Sequence, residues 1–173
     1  ATDPMTKSQR PMFLYELYPP LLGPVSTWAT HARRAAAMGF DWLLVNPIHR
    51  PGSSSSIHAI ADFDDVNPAI VDPADPRSPW EQVAAAVAAA HDCGLRVMFD
   101  LVASTAADSP LVAERPEWFL RAEDGSFLRP GLFDGERRTK TWDDLVAVAN
   151  TTPPGRDGLW RVWAGAVERL IAV

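Results

Sequence analysis

The chain has 173 residues, which is enough for one domain with a buried core. Its net charge of −6 argues against a surface for nucleic acid or an anionic membrane, and no apolar run is long enough to cross a bilayer. The single cysteine excludes an internal disulfide and the first residues do not resemble a signal peptide, so we expect a cytoplasmic protein without nucleic-acid or membrane partners.

The first strand and helix are predicted between residues 12 and 39. A strand is predicted over Met12–Leu17, MFLYEL, because two prolines follow it. Ser26 is predicted to cap a helix that runs through Met38, since Gly39 suits the position just after a helix. Residues 1–11 are expected to be a flexible terminus or a remnant of recombinant expression.

Two further strand–helix pairs follow. The apolar run Trp42–Val45 predicts the second strand. A capping box with proline at the first helical position, Ser78-Pro79-Trp80-Glu81, predicts a helix that Gly94 ends. The third strand is predicted over Val97–Val102, and a last helix from Asp157. The predicted order is therefore β-α-β-α-β-α.

The predicted strands are apolar throughout, which is typical of strands that helices cover in an open α/β sheet or a barrel. Helix-to-strand turns are short, whereas the loops after the second and third strands, 49–77 and 103–155, are long. Loops at the carboxyl ends of strands form the binding sites of such folds. We interpret residues 12–173 as one domain and residues 103–155 as an excursion from it, with a hairpin tip at Glu123–Ser126.

Asp100 is the leading candidate for a site residue. It directly follows the apolar run Arg96–Phe99, and a carboxylate at the end of a buried strand is costly unless it meets an arginine, a hydroxyl donor or a ligand. A structural aspartate that caps local amides is the alternative.

Polar side chains that suit sugar hydroxyls also follow the second strand. They are Asn46, His49, His58 and Asp62. The two histidines could ligate a metal, but no ligand spacing supports this, so neither a metal nor a cofactor is expected. Either Tyr15 or Glu16 should point into a barrel interior or site, because successive side chains of a strand alternate.

Other sequence features carry less information about function. The chain has no phosphate-binding loop, dinucleotide-binding glycine motif, nucleophile elbow or zinc-protease motif. The missing phosphate-binding loop argues against a flavodoxin-like fold, which is a weaker alternative. Arg137, Arg138 and Lys140 form a basic cluster that is interpreted as part of a solvated loop, and the low-complexity patch Ser53–Ser56 is expected to be mobile.

Several segments resemble motifs of the α-amylase family of retaining glycoside hydrolases and transglycosylases. Gly39–His49, GFDWLLVNPIH, is similar to the second-strand motif GF-x-x-x-W-x-x-P-I. Ile57–Phe63 sits where the family often has GYxxxDY, with His58 in place of the tyrosine. Asp100–Thr105 resembles the third-strand motif D-x-x-x-N-H but ends in Ser-Thr. The resemblance covers nearly everything from Phe13 to Val173.

Further segments resemble one subgroup of that family, the maltosyltransferases that move maltose from maltose 1-phosphate onto α-glucan. These segments are Tyr15–Pro19, Asp108–Pro110, Glu114–Phe119 and Asp124–Ser126. Members of this subgroup also lack the Asn-His pair after the third strand. Trp142–Asn150 resembles a short motif in the loop before the third helix of the wider family.

The resemblance implies an α/β fold, namely about three β/α units of a TIM (β/α)8 barrel that acts on α-1,4-glucan or a maltooligosaccharide. It implies that seven residues shape the sugar site: Asp100, Asp62, His58, His49, Asn46, Phe63 and Tyr15. The family's nucleophile and acid/base end the fourth and fifth strands, about 5 Å apart in a retaining mechanism. Both are expected after Val173, so the chain alone is predicted not to catalyse the reaction.

A non-catalytic sugar-binding or interaction module on a half-barrel is the second hypothesis. A parallel sheet of three strands would leave unpaired edges. We therefore expect the isolated chain to associate with itself or with the remainder of a barrel.

Overall fold

The computed structural model describes residues 11–173, so the expectation for residues 1–11 lies outside the described residues except at Pro11. In chain order the strands and helices are β1 (Leu14–Leu17), α1 (Pro19–Leu22), α2 (Trp28–Ala37), β2 (Trp42–Val45), β3 (His49–Pro51), β4 (Ile60–Val66), α3 (Pro79–Asp92), β5 (Arg96–Phe99), β6 (Thr105–Ala106), α4 (Pro110–Glu114), β7 (Gly131–Asp134), β8 (Arg137–Thr141), β9 (Leu145–Val146) and α5 (Pro153–Ala172). Short 3-10 helices cover Val25–Thr27, Pro68–Ile70 and Pro116–Trp118.

The first sheet is parallel and has the strand order β1–β2–β5. In its register Leu14 lies opposite Trp42, which lies opposite Arg96. A flavodoxin-like sheet would place the first strand between the other two. The observed order therefore rules out that alternative, and it agrees with the predicted succession of strands and helices.

Helices cover one face of this sheet. Its buried side chains form the sheet cluster with α2, α3 and the segments beside them: Leu17, Val25, Trp28, Ala32, Ala35, Leu43, Val45, Ile48, Val66, Ile70, Val83, Val87, Ala90 and Leu95. On the other face Leu14 and Met98 are 39% and 38% exposed, and the Arg96 guanidinium lies 5.3 Å from the centre of the Trp42 ring. Within residues 11–173, therefore, the sheet has one covered and one uncovered face.

A second, mixed sheet has the order β3–β4–β6–β9 and packs against α5. Its buried side chains form the loop cluster with those of α4, α5 and the segment at Phe119: Ile60, Phe63, Val112, Phe119, Val146, Leu159, Trp163 and Ala166. The β6 strand contributes two residues, of which Thr105 pairs with both Ile60 and Val146. The excursion predicted for residues 103–155 thus contains strands that join the loop after β2.

The capping box and two helix ends are confirmed. The Ser78 hydroxyl accepts a hydrogen bond from the backbone N–H of Glu81. The Glu81 carboxylate accepts one from the backbone N–H of Ser78 at 2.7 Å, so these two amides at the start of α3 are satisfied. Gly39 and Gly94 follow α2 and α3 with φ of +86° and +78°, a conformation that disfavours other residues. The second strand has the predicted bounds, Trp42–Val45.

The predicted cap of α2 is wrong. Ser26 lies in a 3-10 helix before α2, and its hydroxyl donates to Asp72 Oδ2 at 2.7 Å instead of binding a helix amide. The α5 helix begins at Pro153, four residues before Asp157, because proline suits a first turn whose amide would have no helical partner.

The strand limits also differ from the prediction. The β1 strand begins at Leu14 rather than Met12, and β5 ends at Phe99 rather than Val102. The basic cluster lies in β8 of an exposed hairpin, not in a loop, and the Arg138 guanidinium lies 5.2 Å from the Phe133 ring centre. The predicted hairpin tip at residues 123–126 is present, since Arg121 and Phe127 form an antiparallel bridge on either side of it.

Candidate functional site

The carboxyl edge of the parallel sheet brings Asn46 and Asp100 to neighbouring positions. Asn46 follows β2, and its backbone N–H donates to Leu17 O at 3.0 Å. Asp100 follows β5, and its backbone N–H donates to Val45 O at 2.8 Å. The sheet ladder therefore continues one residue past each strand. By strand alternation both side chains belong to the uncovered face. This is the juxtaposition that the sequence predicted.

Glu16 completes this edge from the first strand. Its Oε1 accepts a hydrogen bond from Asn46 Nδ2 at 2.9 Å, so the side chains of β1 and β2 meet on the uncovered face. Tyr15 has the opposite orientation, since its ring packs edge-on against Phe40 at 5.2 Å between the ring centres. The structure thus brings Glu16, and not Tyr15, together with Asn46. The alternation of side chains along a strand predicted that one of these two residues would point to this face, but it did not decide which one.

His49 is fully buried at the start of β3. Its ring centre lies 6.1 Å from that of Phe63 and 6.0 Å from that of Trp80. Neither imidazole nitrogen has a hydrogen-bond partner among residues 11–173. Burial, and secondarily the positive charge of Arg169, lower the pKa of His49 to about 4, although Asp62 and Asp64 oppose this shift. His49 is therefore a neutral side chain inside the wall of the site.

The other predicted residues on this loop differ in accessibility. His58 is exposed, whereas Phe63 is buried in the loop cluster. Asp62 is half-buried, and its Oδ1 accepts the Asp64 amide at 2.8 Å. His58 and Asp62 thus remain accessible to a ligand, while Phe63 does not.

Residues 11–173 contain no group of three histidine, cysteine, aspartate or glutamate side chains placed to hold a metal ion. In the same residues, no helix combines the length and the apolar composition needed to cross a membrane.

Three comparisons relate the chain to known proteins. A family model described as "Glycogen debranching enzyme, glucanotransferase domain" matches residues 12–143. The chain is 32% identical to an α-1,4-glucan:maltose-1-phosphate maltosyltransferase of Mycolicibacterium smegmatis, over 84% of this chain and 23% of that protein. It is 27% identical to the enzyme of the same name from Arcanobacterium haemolyticum, over 87% of this chain and 23% of that protein. The chain thus spans about a quarter of the length of these relatives.

Solved structures show the same fold. An α-amylase from Lactobacillus plantarum superimposes with a TM-score of 0.68 at 22% identity, over 93% of this chain and 35% of that one. The maltogenic α-amylase AmyB from Thermotoga neapolitana gives 0.69 at 22% identity, over 91% and 36%. The described residues therefore have the mixed α/β architecture of part of an α-amylase.

Proposed function

Since the chain belongs to the family of glucanotransferase domains of the α-amylase type, we propose that it is one part of an enzyme that transfers or hydrolyses glycosyl units of α-1,4-glucans. The curated relatives that it matches are named as maltosyltransferases that use maltose 1-phosphate and α-1,4-glucan. Because the chain spans about a quarter of their length, this activity is proposed for the whole enzyme.

The parallel sheet and its helices are proposed to be three consecutive β/α units of an eight-stranded barrel. The strand order β1–β2–β5 and the single covered face support this, because each barrel strand has its helix outside and its inward side chains inside. On this proposal residues 12–173 are one domain with an excursion at 103–155. The uncovered face would contact the remaining strands or, in the isolated chain, a second copy.

The hydrogen bond between Asn46 and Glu16 at the carboxyl edge is the observation that carries the proposed site. It supports the proposed site because it joins an amide and a carboxylate at the carboxyl edge that Asp100 shares, and barrel enzymes bind substrates at this edge. Carboxylates accept hydrogen bonds from sugar hydroxyls, and an asparagine amide both donates and accepts them. Asp100, Asn46, His58 and Asp62 are proposed to contact the sugar.

Three further residues are proposed to support this site without touching the sugar. His49 and Phe63 pack inside the wall from which Asp62 and His58 project. Tyr15 holds the end of β1 against Phe40, so that Glu16 takes the inward position. A retaining mechanism needs two carboxyls about 5 Å apart. We propose that other parts of the enzyme supply both, so this chain binds glucan but does not cleave it.

Calorimetric titration of the folded chain with maltoheptaose tests the proposal. We expect saturable binding without release of reducing ends, and an Asp100→Ala variant with a dissociation constant raised about tenfold through loss of a charge-assisted hydrogen bond. Asp92→Ala is the matched control, because Asp92 is an exposed carboxylate at the last turn of α3.

Four results would contradict the proposed site or role. The site is wrong if the folded chain does not bind maltoheptaose, or if Asp100→Ala binds it as tightly as the unchanged chain does. Binding that survives the loss of any acidic residue but needs aromatic side chains near the loops would instead favour the non-catalytic module. Release of reducing ends by the chain alone would contradict the proposed lack of cleavage.

A further inference from the structure

Asp108 connects the two long loops that follow β2 and β5. Its Oδ2 accepts the Ser53 amide at 2.9 Å, from the loop after β2. The neighbouring Ser109 is buried, and its hydroxyl donates to Ala61 O at 2.6 Å on β4. With the pairing of β6 and β4, these contacts attach the segment after β5 to both ends of the β3–β4 hairpin loop.

The close approach of the two loops requires glycine at position 52. A Cβ on Gly52 would lie 2.3 Å from Asp108 Oδ1 and 2.7 Å from Ala106 Cβ, both far below van der Waals contact. The Gly52 amide donates to Ala59 O at 2.9 Å, and the Ser55 amide donates to Gly52 O at 2.9 Å. The loop of residues 52–59 is thus closed on itself, and Asp108 lies against its base.

These hydrogen bonds order the patch Ser53–Ser56, whose composition predicted mobility. Ser53 is bound to Asp108, Ser55 to Gly52, and the Ser56 carbonyl accepts the Ala59 amide at 3.0 Å. The low-complexity sequence therefore forms a hydrogen-bonded turn. Because Ser53 donates to the carboxylate, the pKa of Asp108 is lowered, so the ionised acceptor persists at neutral pH.

We propose that Asp108 is a positioning residue that holds the loop of residues 52–59, and through it the exposed His58, at the sugar-binding edge. This inference rests on the proposed function above. Asp108 itself is outside that site, and it acts by reducing the number of loop conformations that sugar binding would otherwise have to restrict. A loop that is ordered before binding lowers the entropic cost of association.

Amide hydrogen exchange of the whole chain, followed by NMR at Ser53, tests the contact without any sugar. We expect Asp108→Ala to exchange about fivefold faster at Ser53, the size of effect that one lost hydrogen bond produces. Asp108→Asn should change exchange less than twofold, because an amide oxygen can still accept. Asp124→Ala is the matched control, since Asp124 Oδ1 accepts the Ser126 amide at the same 2.9 Å elsewhere. Unchanged exchange in Asp108→Ala would overturn the contact.

Titration with maltoheptaose then tests the positioning role. We expect Asp108→Ala to raise the dissociation constant about fivefold and Asp108→Asn to restore the affinity. Gly52→Ala should raise the dissociation constant by a similar factor and also lower the melting temperature, because its Cβ would clash with Asp108 and Ala106. In a His58→Ala background, the Asp108→Ala change should have no further effect, because the two residues act together. If Asp108→Ala still raises the dissociation constant about fivefold in the His58→Ala background, the positioning role is wrong.

The failure of this inference and that of the proposed function give different results. If the unchanged chain binds sugar and Asp108→Ala loosens Ser53 without weakening binding, the positioning role is wrong and the proposed function stands. If the unchanged chain binds no sugar, the proposed function and the positioning role both fail. Exchange at Ser53 then still reports whether Asp108 holds the loop.

Discussion

The parallel sheet beneath the sheet cluster is built from three strands of four residues each, whereas the sheet of the loop cluster joins a long strand, β4, to strands of two residues. The β2 strand shows the first case, with bounds of Trp42–Val45. In the loop cluster, β6 and β9 have two residues each, and Phe119 pairs with Val148 in an isolated bridge. The attachment of these short strands therefore depends on few backbone pairs between residues far apart in the chain.

This difference has an energetic consequence. Contacts between residues far apart in the chain must offset the entropy of closing the loops between them. The Ser109 hydrogen bond to Ala61 closes a loop between positions 48 residues apart. The parallel sheet closes a connection of similar length between Trp42 and Arg96, but a continuous ladder of four residue pairs secures it. We therefore expect the loop cluster to open at a lower free energy than the parallel sheet.

Loss of a buried leucine should separate the two regions most clearly. Leu159 is fully buried in the loop cluster, so Leu159→Ala should lower the free energy of unfolding by about 2–5 kcal/mol. We expect protection from hydrogen exchange to fall first in β4, β6 and β9, while β1, β2 and β5 keep theirs. Leu17→Ala, in the sheet cluster, is the matched control and should lower protection in both regions. Equal loss of protection in the two regions of Leu159→Ala would show that they unfold as one unit.

The sequence predicted the sheet cluster well because its signals are local. The apolar run Trp42–Val45 and the capping box at Ser78 each lie within a few consecutive residues. The carboxyl edge could also be predicted, because residues that follow parallel strands meet at the same edge. Asn46 and Asp100 therefore lie where the prediction placed them. These positions depend on sheet topology and on no individual side-chain contact.

The loop cluster could not be predicted in the same way. A strand of two residues, such as β6, has no periodicity to detect. Asp134-Gly135 is a turn signal, but the β7–β8 hairpin around it exposes most of both strands, so they lack an alternating pattern. The environment of His49 depends on the ring of Trp80 and the charge of Arg169, which α3 and α5 bring from distant parts of the chain. Such contacts become visible only once the elements are packed.

The junction of the two regions should respond to pH through His49. Its ring lies between Phe63 of the loop cluster and Trp80, which packs against the sheet cluster. Its folded pKa of about 4 is below the ordinary value of 6.5. Between those values the unfolded chain binds a proton that the folded chain does not. Stability should therefore fall by up to roughly 3 kcal/mol as the pH drops from 6.5 to 4.

Urea unfolding between pH 7 and pH 4.5 measures this dependence. His49→Leu should remove the slope, because both nitrogens lack partners and an apolar side chain of similar size fits the site. His58→Leu should retain the slope, since His58 is exposed. Carboxylates such as Asp72 and Asp75, whose pKa is lowered from 3.8, lose their contribution to stability only below the pH range of this experiment. A slope that persists in His49→Leu would assign the effect to other groups.

Two glycines of α5 give the finest test, because one touches the loop excursion and the other does not. A Cβ on Gly158 would lie 2.2 Å from Trp118 Cε2, whereas one on Gly165 would meet nothing within 4 Å. Alanine in a helix is favoured over glycine by about 1 kcal/mol. Gly165→Ala should therefore raise the melting temperature. Gly158→Ala should lower it, because overpacking costs about 1–3 kcal/mol and exceeds that gain.

The sign of the Gly158→Ala effect decides how the loop cluster is held. Trp118 belongs to a 3-10 helix of three residues that packs against α5. If Gly158→Ala raises the melting temperature as Gly165→Ala does, the indole moves aside without cost and the contact is not needed. If it lowers the melting temperature and Trp118→Ala in the same chain removes the difference, then the contact between Gly158 and Trp118 helps to hold the excursion to the helix.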